Sequence, residues 1–267
     1  VNTIESLKVG RPWISALLTY AAFSRLTRSK GCGRLPAGDI DIYYKRFGCG
    51  EPVLLLHGGF MVSEGWAAQM PALARDHMVI AMDSRGHGRT TLGTAQLTYR
   101  QMGLDVANLI ERLGVGPAHV IGSSDGGIAG LALALERPDL LRSLVLLGTS
   151  FLSPRAPVLL GLRGLRRLMN PEPWTGRRFV ASMRKLWTTL PDFTVEELGT
   201  ICTPTLVIGC DKDEFLSLSD DPLEVFRETA AAMPNAELAV IPGGTHTVNI
   251  NRPGVVNELI LNFIASV

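Results

Sequence analysis

Eight residues, Val120-Ile121-Gly122-Ser123-Ser124-Asp125-Gly126-Gly127, constrain this chain more than any other stretch. A short apolar run breaks at a Gly-x-Ser-x-Gly-Gly turn. A helical pattern follows at once, with Ile128, Leu131, Ala132 and Leu135 at i, i+3, i+4 and i+7 spacing. The pattern is strand, tight turn, helix. The residue at the tip of such a turn is held in strained backbone geometry, with its side chain pushed clear of the sheet. Glycines two before and two after the tip keep Cβ atoms out of the crowded space. That register puts Ser124 at the tip, rather than Ser123 or Asp125. The plainer alternative is a turn whose serine only caps the helix, and the rest of the chain decides between them.

The rest of the chain supplies a sheet around that turn. Ile40, Ile42 and Tyr44 alternate within 39–47, which predicts a half-buried antiparallel strand. Pro52 to Leu56 and Met78 to Met82 are continuous apolar runs, as expected of strands buried on both faces. Ser63 is placed to cap a helix through Trp66, Met70 and Leu73. Thr98 to Leu113 reads as a helix ended by Gly114. Further strands are expected at 144–147, 205–208 and 236–241, with helices at 222–233 and 253–264. Alternation of this kind implies a parallel sheet with helices on both faces, and in such sheets the chemistry collects at the carboxyl ends of the strands. His57, Asp83, Ser124 and Gly148 all fall at such ends. Between 151 and 200 the alternation stops, and apolar residues mix with arginines. A small helical insertion roofing the site is the reading there. The expected divisions are therefore an N-terminal basic and apolar extension over 1–38, core over 39–150, a helical cap over 151–200, and core again over 201–267.

Composition removes several function classes. With 267 residues, 46% of them apolar and 19% charged, the chain is long enough for one α/β core with an insertion. A formal net charge of +1 argues against a general nucleic-acid partner. No apolar run is long enough for an integral membrane span. Cys32, Cys49, Cys202 and Cys210 form no C-x-x-C pair, so neither a metal nor a redox motif is indicated. No nucleotide-binding glycine motif occurs, and no cofactor is expected. Cysteine usage favours a reducing compartment, hence the cytoplasm. The basic and apolar segment from Lys8 to Arg34 leaves secretion or membrane-surface association open.

A serine hydroxyl needs a base to take its proton. Of the five histidines, His246 alone is both late in the chain and on a loop at a carboxyl end of the sheet. The base in turn needs a carboxylate on its other nitrogen. Asp211 and Asp213, just after the strand at 205–208, both qualify.

With these residues in order, the chain from about Asp39 onward resembles the α/β-hydrolase superfamily, whose nucleophile elbow is the Gly-x-Ser-x-Gly turn. The matching segments are His57-Gly58-Gly59-Phe60, Asp83 to Gly88, the elbow, Pro204 to Ile208, and Gly243-Gly244-Thr245-His246. The resemblance implies the nucleophile–acid–base order Ser124, Asp213, His246. Its G-x-x-D pattern favours Asp213 over Asp211, although Cys210 stands where the pattern has glycine. It also implies an oxyanion hole from the backbone N–H groups of Asp125 and Gly59, with Phe60 as the fallback for the second donor. Asp125 and the run from Leu186 to Phe193 are similar to the valacyclovir-hydrolase-like branch.

The activity this implies is cofactor-free hydrolysis of a small carboxylic ester, thioester or lactone by a monomer or homodimer. A C–C bond hydrolase, perhydrolase or acyltransferase on the same triad is the alternative. A binding protein on the same scaffold is the remaining one. Phe60, Asp125, Trp174, Phe179 and Trp187 are the expected substrate-binding residues. A carboxylate at Asp125, beside a developing oxyanion, needs a partner. The expected partners are its own helix N-terminus, a cation such as Arg177 or Arg184, or a substrate ammonium group.

Overall fold

The computed structural model describes residues 31–151, 176–189, 191–216 and 220–267. Eight strands form one sheet in the order β1-β2-β4-β3-β5-β6-β7-β8. They are β1 (Cys32–Ala37), β2 (Ile40–Phe47), β3 (Glu51–Leu56), β4 (His77–Met82), β5 (Ala118–Ser123), β6 (Leu141–Leu147), β7 (Thr205–Cys210) and β8 (Ala236–Ile241). β1 runs antiparallel to β2, and β2 antiparallel to β4. Every other pairing is parallel.

The continuous apolar runs have the consequence expected of them. In β3, Leu54 and Leu56 enter one apolar cluster, and Val53 and Leu55 enter the other. β6 divides in the same way, Leu144 and Leu146 against Val145 and Leu147. Side chains alternate across a strand, so both faces of the sheet are buried. The first cluster takes helices α1 (Tyr99–Leu113), α2 (Asp125–Glu136) and α3 (Arg177–Thr189), through residues such as Met102, Leu131 and Met183. It also takes Phe226 of α4 (Glu224–Ala231). The second cluster takes α5 (Pro253–Ile264) through Val256, Ile260 and Phe263, together with Trp66 and Met70.

α1 shows the local logic most plainly. The Thr98 hydroxyl accepts the N–H of Gln101 at its start, and Gly114, at φ 60°, closes its end.

Two expectations change. The stretch 1–38 is not all extension: β1 pairs residue by residue with β2, so among the described residues the sheet begins at Cys32 rather than Asp39. The single helix expected after Ser63 is a 3-10 turn, Ser63–Trp66, followed by a separate short helix, Met70–Leu73. Pro71 has no N–H to carry the ladder across. Ser63 is no cap, and its own N–H is committed to the Asp83 carboxylate at 2.9 Å. The described parts of 151–200 are helical and contain no strand. No described helix is long and apolar enough to cross a membrane.

Candidate active site

The elbow has the strained geometry its glycines suggested. Ser124 sits at φ 53° and ψ −122°, between the last residue of β5 and the first of α2. A Cβ added at Gly122 would lie 2.4 Å from the Gly126 carbonyl oxygen, and one at Gly126 would lie 2.3 Å from that of Leu56. Glycine is therefore required on both flanks. The Ser124 N–H donates to the Leu147 carbonyl at 2.9 Å, which anchors the elbow to the end of β6.

The same end of β6 touches Asp213 and His246, the expected acid and base. A Cβ on Gly148 would be 3.3 Å from both Asp213 Oδ2 and His246 Nδ1. These two atoms are 2.8 Å apart. The other Asp213 oxygen accepts the N–H groups of Phe215 and Leu216, at 2.9 and 3.0 Å. The carboxylate is buried with both oxygens occupied, so its direction is set. Burial works to lower the His246 pKa. The Asp213 hydrogen bond and charge, with help from Glu214 and Asp125, outweigh it and raise the value above the usual imidazole range. The Phe215 ring stands edge-on to the imidazole at 4.8 Å. Asp211 is elsewhere: its carboxylate accepts the Gly243 N–H and holds that turn. Of the two aspartates left open by the residues alone, the structure brings Asp213 to His246.

The other side of the site is built from neutral groups. His57 Nε2 accepts the Ser84 N–H at 2.9 Å, and His87 Nε2 accepts the Phe60 N–H at 3.1 Å. A backbone N–H only donates, so both Nε2 atoms are unprotonated and Nδ1 carries the hydrogen. His57 Nδ1 then donates to the Gly58 carbonyl at 2.8 Å, and His87 Nδ1 to that of Arg85 at 3.0 Å. Burial lowers both pKa values, that of His87 to about 3 with the nearby His57 contributing. Phe60 and Ser124 are the described non-glycine residues with positive φ. Phe60, at φ 56°, is held there by its bond to His87. The Phe60 N–H is spent on His87, which counts against its use as the expected fallback to Gly59.

Among the described residues, Asp125 meets neither a helix-capping bond nor a cation. Its Oδ1 accepts the Tyr99 hydroxyl at 2.7 Å and its Oδ2 accepts the Trp187 indole N–H at 2.8 Å. Arg177 and Arg184, the expected cations, are exposed on α3. Burial raises the Asp125 pKa, against the lowering effect of its two donors and His246. Phe179 and Trp187 stand edge-on to Phe60, with ring centroids 5.6 and 5.4 Å away. Trp174 lies outside the described residues.

Sequence reasoning missed the roles of His57, His87 and Tyr99. The partners His87 and Phe60 are 27 residues apart, and Tyr99 and Asp125 are 26 apart, so no local spacing marked them.

Comparison with known proteins gives the fold family. The profile described as alpha/beta hydrolase fold matches residues 51–190. A Caulobacter sp. (strain K31) protein named as a carbamate hydrolase, RutD, is 33% identical over 234 residues, covering 75% of this chain and 85% of its own length. The Azorhizobium caulinodans protein of the same name is 28% identical over 262 residues, covering 86% and 97%. Among solved structures, a serine hydrolase involved in carbazole degradation superposes with a TM-score of 0.75 at 24% identity. It covers 89% of this chain and 99% of its own, and at that identity it speaks for the fold alone.

Proposed function

The chain belongs to the α/β-hydrolase fold family and is a hydrolase, and from that premise we propose that it cleaves a small carboxylic ester, thioester or lactone through an acyl-enzyme on Ser124. The single observation that carries the reading is the 2.8 Å contact between His246 Nδ1 and a buried, fully bonded Asp213, at the strand end to which Ser124 is anchored.

In this reading Ser124 Oγ attacks the carbonyl carbon while His246 takes its proton. Asp213 keeps the imidazole in the tautomer whose Nε2 is free, and it stabilises the imidazolium that forms. The carbonyl oxygen becomes an oxyanion, which the N–H groups of Asp125 and Gly59 receive. Each such donor contributes about 2.7–4 kcal/mol to the barrier reduction. His246 then protonates the leaving group. Water, deprotonated by the same histidine, releases the acid and frees Ser124. Phe60, Phe179 and Trp187 supply the apolar wall over this chemistry.

The relatives named as carbamate hydrolases favour a second substrate class. A carbamate offers the same trigonal carbonyl to the same groups, so the machinery needs no change.

Rapid mixing with p-nitrophenyl acetate tests the reading. An initial burst of about one nitrophenolate per enzyme, followed by slower turnover, is the expected signature of an acyl-enzyme. Absence of turnover on every ester, thioester, lactone and carbamate in a panel would remove the proposal.

A further inference from the structure

The group on which two parts of the site converge is the Asp125 carboxylate, one residue after the elbow serine. Three elements meet there. Tyr99, at the start of α1, donates to one oxygen at 2.7 Å, and Trp187, from the cap helix α3, donates to the other at 2.8 Å. The loop carrying Gly59 presses on the same spot. A Cβ on Gly59 would lie 2.3 Å from Asp125 Oδ2, 2.6 Å from Trp187 Cζ2 and 3.2 Å from the Met183 methyl. Trp187 and Met183 both belong to α3, so the Gly59 backbone is wedged between the carboxylate and the cap. On the far side of the loop, Phe60 is pinned by His87, and Phe179 of α3 stands edge-on to both of those rings, at 5.6 and 4.8 Å.

A buried carboxylate is costly to keep, and a methyl or amide group would pack at lower cost. Both of its bonds go to neutral donors that an ordinary α2 N-terminus does not need. In the serine-hydrolase reading the Asp125 N–H is one of the two oxyanion donors, and the bonds at both carboxylate oxygens restrain that same residue. The second donor, Gly59, touches the carboxylate directly.

We propose that the Asp125 carboxylate is a positioning group that couples the cap helix α3 to the oxyanion hole, so that seating of Trp187 aims both oxyanion amides. This rests on the serine-hydrolase reading for its catalytic consequence, but the coupling itself is mechanical. A cap displaced from Trp187's bond leaves Gly59 without its support and Asp125 with one restraint instead of two. The chemistry is therefore fully assembled only when α3 is seated on Asp125.

The test uses Trp187→Phe, which keeps the ring and removes the N–H, Asp125→Asn, and the double variant. An interaction that acts on the transition state lowers kcat with little effect on KM. Each single variant is expected to lose about tenfold in kcat, with KM within about twofold. Because the two act through one bond, the double variant should lose close to the larger single loss rather than about a hundredfold. Hydrogen exchange of the full chain gives a readout independent of turnover. Trp187→Phe should speed exchange in 177–189 and also in 58–61. Multiplicative kcat losses, or exchange that rises in α3 while 58–61 is unchanged, would overturn the coupling. If no substrate is turned over, the serine-hydrolase reading fails by itself, and the exchange result still decides the coupling.

Discussion

The two halves of the site are built from opposite materials. On the β6–β8 side, Asp213 and His246 form a bond whose charged state is favoured, and the His246 pKa is raised. On the β3–β4 side, His57 and His87 are held neutral by burial, and each accepts a backbone N–H. One half favours taking up a proton and the other resists it. A proton-transfer group must change state during turnover, whereas a group that aims amides must not. In the proposed mechanism the difference separates the residue that moves charge from the residues that hold geometry.

The largest expected effect breaks the first half. Asp213→Asn removes the carboxylate that orients His246, and kcat should fall by about 10⁴-fold. Asp211→Asn, which only loosens the Gly243 turn, should stay within a few-fold. The reverse ranking in steady-state kinetics would show that the bond at Asp213 is not the one that matters.

Next comes the neutral half. His87→Leu removes the acceptor for the Phe60 N–H and frees the loop that carries Gly59. A loss of about 10²-fold in kcat is expected, the scale of one misplaced oxyanion donor. His87→Gln, which can still accept, should recover much of it. Equal losses in both variants would mean that ring packing against Phe179 matters and the hydrogen bond does not.

How much of this was legible follows the same division. The elbow, β3, β5 and the loop position of His246 are marked by short-range patterns: glycine spacing, apolar runs and strand-end loops. The choice of Asp213 over Asp211 comes only from the family resemblance, because both aspartates follow the same strand. The Asp125 environment is not marked in this way, because its donors come from residues 26 and 62 positions away. Nothing near Asp125 indicates a tyrosine and an indole rather than a cation. The helix expected after Ser63 was lost for a different reason: apolar spacing was counted, but the missing N–H of Pro71 was not. β1 was overlooked inside a basic stretch, since its burial alternates only weakly between exposed and half-buried positions.

The halves should also titrate in opposite directions. His246 must be neutral to accept a proton, so the acidic limb of kcat/KM should have its midpoint above the ordinary imidazole value of about 6.5. Asp213→Asn should move that midpoint down. Stability behaves otherwise. A histidine whose folded pKa is depressed binds protons more readily when unfolded, so stability declines as pH falls below about 6.5. For His87 that decline should run down to about 3. Denaturant unfolding of His87→Gln should show a shallower loss across that window. An unchanged pH slope would contradict the neutral assignment.

The smallest effect concerns substrate charge. Because Asp125 already takes two neutral donors, it should give amino-acid esters no special advantage. Asp125→Asn should change kcat/KM for an amino-acid ester and for a neutral ester of equal size by ratios that differ less than about twofold. A tenfold larger loss on the amino-acid ester would show that the carboxylate leaves Trp187 to meet an ammonium group.

The most direct measurement of the central claim is the site of covalent labelling by a fluorophosphonate, located by peptide mass spectrometry in the wild type and in Ser124→Ala. The geometry predicts one label per chain on Ser124, whose backbone alone at that turn has the strained φ of 53°, and none in the variant, which should retain its fold and lose about 10⁴-fold or more in kcat. Labelling of Ser123, or undiminished turnover by Ser124→Ala, would contradict it.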